Sequence, residues 1–128
     1  MKIKSLTIQR SKWLRGAICP SLLTEDGKMC CLGFFAQKCK IHKTKLYDIG
    51  TPQDIEYAHK TELIKKIPQL LTKVVESDPM YDYCKYKNSD FTNAAIDIND
   101  DMEIIDEARE SKLIKLFLKN GIKLNFVD

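Results

Sequence analysis

The sequence is poor in arginine: of its 21 basic residues only Arg10, Arg15 and Arg109 are arginine, and the rest are lysine. Proteins that read DNA sequence lean on the arginine fork for bidentate contacts to base edges. Scattered lysine charge therefore argues against a sequence-reading nucleic-acid binder. Long apolar runs are missing as well. The longest, residues 29–36, falls well short of the ~18 residues a membrane helix needs, so no membrane partner is expected. The start, Met1-Lys2-Ile3-Lys4-Ser5, is basic but is not followed by the apolar region of a secretory signal. The expected location is the cytoplasm of the cell in which the protein works. Repeats, low-complexity stretches and Pro/Gly-rich linkers are also lacking. The 128 residues then make one domain, 1–128, able to bury roughly two-thirds of its unfolded surface.

What is present fits a globular protein: 44% hydrophobic and 30% charged residues, a balance unlike that of disordered chains. Five cysteines, Cys19, Cys30, Cys31, Cys39 and Cys84, are an odd number. Without a secretory signal they read as buried free thiols rather than a disulfide framework. The net charge of +3 hides a gradient: residues 1–45 carry about +8, residues 46–88 about −1 and residues 89–128 about −4. Such a split either closes on itself within the fold or leaves a positive face for an anionic partner.

Local signals place the elements. Ile8, Trp13 and Leu14 suggest a helix over residues 7–15, stopped by Gly16. Asp26-Gly27, flanked by Leu22-Leu23 and Met29-Cys30-Cys31, is a hairpin signal over residues 21–31. Phe34, Phe35 and Cys39 resume a helix over 32–39. Thr51-Pro52-Gln53-Asp54 is a helix start, expected to run to Ile67. A short helix is expected over 69–76, and another from Ser89-Asp90 to about residue 98. Residues 102–120 carry a one-sided apolar stripe, Ile105, Ala108, Leu113, Leu116 and Phe117, and Asn120-Gly121 ends it. Ile122, Leu124 and Phe126 alternate with polar residues as a strand. The expected fold is α+β: a small antiparallel sheet, made of the 21–31 hairpin and a strand at 122–127, with four to five helices packed on it.

The chemistry-bearing residues admit two kinds of reading. Cys30 and Cys31 stand where a strand should meet a helix start, a place that can stabilise a thiolate. Nucleophilic use would need a base, and only His42 and His59 are available. The plainer reading is small apolar packing at a tight junction, with Gly33 allowing close approach. Cys30, Cys31, Cys39 and His42 form a Cys/His set but lack the paired knuckles of structural zinc sites, so neither metal nor cofactor is expected. Asp97 and Asn99-Asp100-Asp101 precede the last long helix, with Glu103 in its first turn. They read as capping and first-turn carboxylates before they read as a magnesium or acid/base site. Arg109 either makes a surface pair with Glu110 or turns inward as a bidentate clamp. Trp13 beside Arg10, Lys12 and Arg15 has the ring-plus-guanidinium composition of a nucleotide site, against which stands a plain core role for the indole. Tyr81, Tyr83, Lys85, Tyr86 and Lys87 suggest a loop or edge that is either a binding surface or inert.

Two sets of residues carry a resemblance. Trp13-Leu14-Arg15-Gly16 followed by Asp26-Gly27-Lys28-Met29-Cys30-Cys31-Leu32-Gly33-Phe34 resembles the opening of small proteins encoded by tailed bacteriophages and prophages. Asn99-Asp100-Asp101, Arg109-Glu110, Leu113-Ile114, Phe117, Gly121-Ile122 and Phe126 resemble their ending. The likeness covers roughly residues 10–40 and 96–127, and it implies a phage accessory protein without implying a reaction or catalytic residues.

Together these readings lead to a non-enzymatic binding protein, possessed of no cofactor, that counters a host component such as a defence system. It would either sequester an anionic nucleotide-type signal, with Arg10, Trp13, Arg15 and Arg109 facing the ligand and a homo-oligomer completing the pocket, or cover a host protein surface. The alternatives are a small cysteine enzyme using Cys30 or Cys31, and a weak nucleic-acid binder.

Overall fold

Alternation decides the first element. Ser5, Thr7 and Gln9 are polar while Leu6 and Ile8 are apolar, and strand β1 (Ser5–Gln9) turns the apolar pair inward. The computed structural model describes residues 2–17, 21–59, 65–73 and 86–128, with the backbone alone for 56–59. The helix expected over 7–15 is therefore corrected. Ile8 belongs to the period-2 pattern of a half-buried strand, and only a single 3-10 turn, Arg10–Lys12, follows it.

The hairpin expected over 21–31 is corrected too, although its turn exists. Thr24 N–H donates to Lys28 O at 2.8 Å and Gly27 N–H to Thr24 O at 3.0 Å, with Gly27 at φ 84°. The arms diverge because each finds a separate partner. Leu22 N–H donates to Ile49 O at 2.7 Å, whereas Met29 N–H donates to Lys12 O at 2.9 Å and its carbonyl accepts from Leu14 N–H at 2.8 Å. Helix α1 (Cys31–Lys38) sits in the fork between them. A Cβ on Gly33 would lie 2.0 Å from the Leu22 carbonyl oxygen and 2.9 Å from Met29 Cβ, so this glycine is what lets the helix touch both arms.

Helix α2 (Pro52–His59) begins where its signals place it. Of its expected run to Ile67, residues 60–64 lie outside the described residues, and Ile67–Leu70 is a turn closed by Leu70 N–H on Ile67 O at 3.0 Å. The helix expected over 69–76 is corrected: strand β2 (Leu71–Lys73) pairs antiparallel with β3 (Tyr86–Asn88), in register Leu71 to Asn88. Most of the tyrosine-lysine stretch, residues 81–85, lies outside the described residues, as do Cys19 and Cys84.

Helix α3 (Asp90–Asp100) is capped by Ser89, whose hydroxyl oxygen accepts from Thr92 N–H at 3.2 Å. It buries Phe91, Thr92, Ala95 and Asn99, the i, i+4 spacing of one helical face. Helix α4 (Asp106–Lys119) starts four residues later than expected, because the Asp101 carboxylate accepts from Glu103 N–H at 2.8 Å and holds 101–103 in a bend. This is the local competition by which Asp diverts a backbone from helix. Its buried face is Arg109, Leu113 and Phe117.

Gly121, at φ 80°, turns the chain into strand β4 (Lys123–Val127). That strand pairs in parallel with β1, from Ser5 against Lys123 to Gln9 against Val127. The expected partnership with residues 21–31 is thus replaced by one with the N-terminal strand. The architecture is α+β with two sheets of two strands each. Phe35, Phe91 and Phe117 meet between α1, α3 and α4, the closest pair edge to face at 4.9 Å. Among the described residues no helix is long and apolar enough to cross a membrane.

Candidate functional site

The sequence candidates Arg10, Trp13, Arg15 and Arg109 do come together, but Trp13 and Arg109 are buried and all four already have partners within the chain. Trp13 is 2% exposed. Its indole N–H donates to Asn99 Oδ1 at 2.8 Å, its ring packs on Phe126 at 4.7 Å, and the Arg15 guanidinium lies 4.9 Å from its ring centre. The expectation that Trp13 stacks on a ligand is therefore corrected: the indole anchors the core and has a cation on its ring already.

Arg109 takes the inward of its two expected arrangements, with backbone carbonyls as its main partners and the Asp106 carboxylate beside them. It is 3% exposed. Its Nη1 donates to Ile98 O, Asn99 O and Asp101 O at 3.0, 3.0 and 2.6 Å, and its Nη2 to Ile104 O at 2.9 Å. These are the carbonyls that the end of α3 and the following bend leave without helical partners, so one guanidinium closes that helix end.

Arg10 and Arg15 are part-exposed, yet their forks are occupied. Arg10 is held by both oxygens of Glu110 at 2.9 and 2.8 Å and by Asp128 at 2.9 Å. Arg15 donates twice to Asp106 Oδ2, at 3.1 and 3.0 Å, and to the carbonyls of Arg10 and Trp13. Asp106 also takes Arg109 Nε on its other oxygen at 3.3 Å. These cations, Arg15 first, hold the Asp106 carboxyl below the usual carboxylate range. The basic N-terminal third and acidic C-terminal third thus neutralise each other here.

The adjacent thiols are closed off. Cys30 and Cys31 are both buried. Burial pushes the Cys30 thiol up to about 12 and the Cys31 thiol well above its ordinary value. A neutral buried thiol is a poor nucleophile. The backbone N–H of Cys31 donates to Asn99 Oδ1 at 3.1 Å, so the helix start serves the core network. His42 is solvent-exposed and bonded to Thr44, far in character from these sulfurs. The side chain of His59 lies outside the described residues. Among the described residues no three His, Cys, Asp or Glu side chains converge as a metal-binding group, Cys39 being buried as well.

Among the described residues, an open hollow lies at the C-terminal end of α1. Cys39 caps the helix, Lys40 N–H donates to Gln37 O at 3.0 Å, and Ile41 N–H donates to Ala36 O at 3.1 Å. These crossed bonds are the Schellman termination, in which the residue at the Lys40 position adopts left-handed backbone and is most often glycine. Lys40 takes it at φ 70°. The next turn, Lys43–Lys45, is capped by His42, whose Nδ1 accepts from Thr44 N–H at 3.2 Å. Nδ1 also lies 3.0 Å from Thr44 Oγ1, so one edge of the ring is held by the turn that it caps. Gln37, Lys40, Ile41, His42 and Lys43 line a hollow of about 290 Å³. Lys38, Lys40, Lys43 and Lys45 make no ion pair with any described residue.

Sequence reading missed this site because it ranked arginines above lysines. The signal was present in the basic run from Lys38 to Lys45, in which no Asp or Glu interrupts. Chemically the hollow offers two ammonium groups, an imidazole and a side-chain amide around an aliphatic patch. It suits reversible anion binding and lacks a nucleophile. No protein-family model, no curated protein and no solved structure matches the chain.

Proposed function

We propose that this is a non-enzymatic binding protein of phage type that counters a host component by holding an anionic molecule. One observation carries the reading: the charge is sorted. Every arginine is committed to internal carboxylates or carbonyls, while the lysines of 38–45 are left without acidic partners around a hollow. Ammonium groups gathered in one short exposed segment raise the local positive potential and attract anions, an effect that salt screens. The buried, proton-bearing thiols speak against a cysteine-dependent reaction.

Between the two modes, sequestering an anion and covering a host protein, side-chain type favours the first, although Met102, Ile105 and Leu118 are exposed apolar residues that would suit the second. Protein interfaces are depleted in lysine and built on Trp, Tyr and Arg anchors. Here the sole tryptophan is buried and the arginines are spent. The setting in host defence rests on the phage-like motifs, and the anion on the lysines.

The test is recovery of the bound species. Tagged protein is purified from phage-infected bacteria at low salt and denatured, and the supernatant and polypeptides are identified by mass spectrometry. A near-stoichiometric phosphorylated small molecule is the expected result. A stoichiometric host polypeptide with no small molecule would overturn the sequestering mode, and an empty preparation would overturn both modes.

A further inference from the structure

We infer that the outer edge of β1 is a self-association surface. It pairs antiparallel with β1 of a second copy of this chain, in register about Thr7, and joins the two β1–β4 sheets into one across a two-fold axis. The inference stands apart from the anion reading and rests on the backbone of Ser5–Gln9.

The ladder fixes which way that backbone points. Lys123 N–H donates to Lys4 O at 2.8 Å, and β1 runs parallel to β4 from Ser5 against Lys123 to Gln9 against Val127. In a strand the N–H and C=O of one residue share a direction, which reverses at the next residue. The groups of Lys4, Leu6 and Ile8 therefore face β4, and those of Ile3, Ser5, Thr7 and Gln9 face the other way. At Ile3 that edge is already in use. Ile3 N–H donates to Gln69 Oε1 at 3.1 Å, and Gln69 Nε2 donates to Ile3 O at 3.0 Å. The side-chain amide meets the edge as a neighbouring strand would, with one donor and one acceptor. Beyond Ile3 the edge is open. Gln9 C=O enters the 3-10 turn that follows, but the backbone groups of Ser5 and Thr7 and the N–H of Gln9 have no hydrogen-bond partner among the described residues. Ser5 and Thr7 are exposed.

Such a row of donors and acceptors recognises extended backbone. Proteins that keep an edge free blunt it with lysine, proline or a bulge. Ser5–Gln9 contains none of these, whereas β4 carries Lys123.

A second copy fits because the segment is complementary to itself. Antiparallel pairing about Thr7 sets Thr7 against Thr7, Ser5 against Gln9 and Leu6 against Ile8. Each Thr7 exchanges both its bonds with its mate, and each Gln9 N–H reaches the Ser5 C=O opposite. No charges meet within the strand, and a Thr–Thr pair across strands is favourable. Just outside it Lys4 comes opposite Arg10, whose charge Glu110 and Asp128 balance. The contact is isologous and closes after two copies. One short strand pair is small beside the ~1,200 Å² at which stable interfaces begin, so the dimer is reversible.

Sedimentation velocity of the full chain tests this, from about 1 µM to about 500 µM, a range that brackets weak interfaces. The wild type is expected to pass from monomer to dimer and to stop there. Thr7→Pro removes an N–H that faces away from β4, so the ladder within the chain survives and the dimer is lost. Thr7→Lys and Thr7→Glu each set like charges opposite each other on the two-fold axis and should weaken association at least tenfold. An equimolar mixture of the two should restore it, because opposite charges then face each other. Lys115→Gln, on α4, should change nothing. The inference is overturned if the wild type stays monomeric at the highest concentration, if Thr7→Lys associates as the wild type does, or if mixing brings no recovery. A host polypeptide held by a monomeric wild type and released by Thr7→Pro would assign the edge to a foreign strand and overturn the dimer. A dimer found with no small molecule recovered from cells would sink the sequestering mode and leave this surface standing.

Discussion

The indole N–H of Trp13 ends on the side-chain oxygen of Asn99, 2.8 Å away and 86 positions along the chain. The same oxygen accepts the backbone N–H of Cys31 at 3.1 Å, and the Asn99 amide donates to Leu14 O at 3.0 Å and to Asp100 Oδ1 at 2.9 Å. One buried asparagine thereby ties the segment after β1, the start of α1 and the end of α3 into a single knot, in which each polar group has a partner.

Asn99→Ala should leave the Trp13 and Cys31 donors buried without an acceptor. Each such orphan costs about 1–3 kcal/mol, so a loss of roughly 3 kcal/mol is expected in urea unfolding. Trp13 fluorescence is the probe, since the tryptophan is unique. A loss below about 1 kcal/mol would mean that water replaces the amide oxygen.

Gly33→Ala should be among the most damaging single-methyl changes available, because the obstacle 2.0 Å from the added carbon is the Leu22 carbonyl and not a flexible side chain. Overpacking against backbone costs about 3 kcal/mol or more. Gly27→Asn is the contrast: nothing lies within 4 Å of an added Cβ there, and asparagine tolerates positive φ. Its midpoint in chemical denaturation should stay near that of the wild type.

The thiols of Cys30 and Cys31 should resist iodoacetamide at pH 7.5 in the folded protein and react on unfolding, because alkylation requires a thiolate and burial holds the protons on. Peptide mapping by mass spectrometry separates them from the other cysteines. Rapid modification of either one in the native state would revive the enzymatic alternative.

Asp106 and Asp100 should respond to pH with opposite signs. Arg15 and Arg109 lower the Asp106 value. Its contribution is thus present above the unfolded value of about 3.9 and is lost as pH falls through the lower folded value. Asp106→Asn should therefore be less stable than the wild type at pH 7, and the gap should close below about pH 4. Desolvation raises Asp100, whose contribution is present below the unfolded value and is lost as pH rises through the folded one. Asp100→Asn keeps the acceptor for the Asn99 amide and should gain stability at pH 7, a gain that vanishes in acid. Urea midpoints between pH 3 and pH 7 report both trends.

Periodic segments were legible. The existence of α1, the start of α2, the cap of α3 at Ser89 and the alternation of β4 follow from local chemistry that acts within a few residues, whereas of the stripe expected on α4 only Leu113 and Phe117 are buried and Ile105, 69% exposed, lies before the helix. The parallel partnership of β4 was not, because the choice between residues 21–31 and residues 5–9 is made by long-range packing. Ile8 counted toward a helix with Trp13 and Leu14, although those three do not share one period with Leu6. Arg109 shows the same limit at the side-chain level. Surface pair and inward clamp were both open from spacing, and the choice depended on a bend at 101–103 that leaves carbonyls facing it. The lysine run was visible, but only the three-dimensional fates of the arginines reveal that the lysines are the charges left over.

The pairing of β1 with β4 has a kinetic side. Arg10 and Asp128, just beyond the ends of those strands, are held together across 118 positions, so the loop to be closed is long. Closing so wide a ring is entropically slow and waits on the intervening helices. During synthesis the first strand stays single until the last one leaves the ribosome. Up to that moment Leu6 and Ile8 are exposed to whatever apolar edge is nearby, and chaperone dependence should fall on this stage of the protein's life.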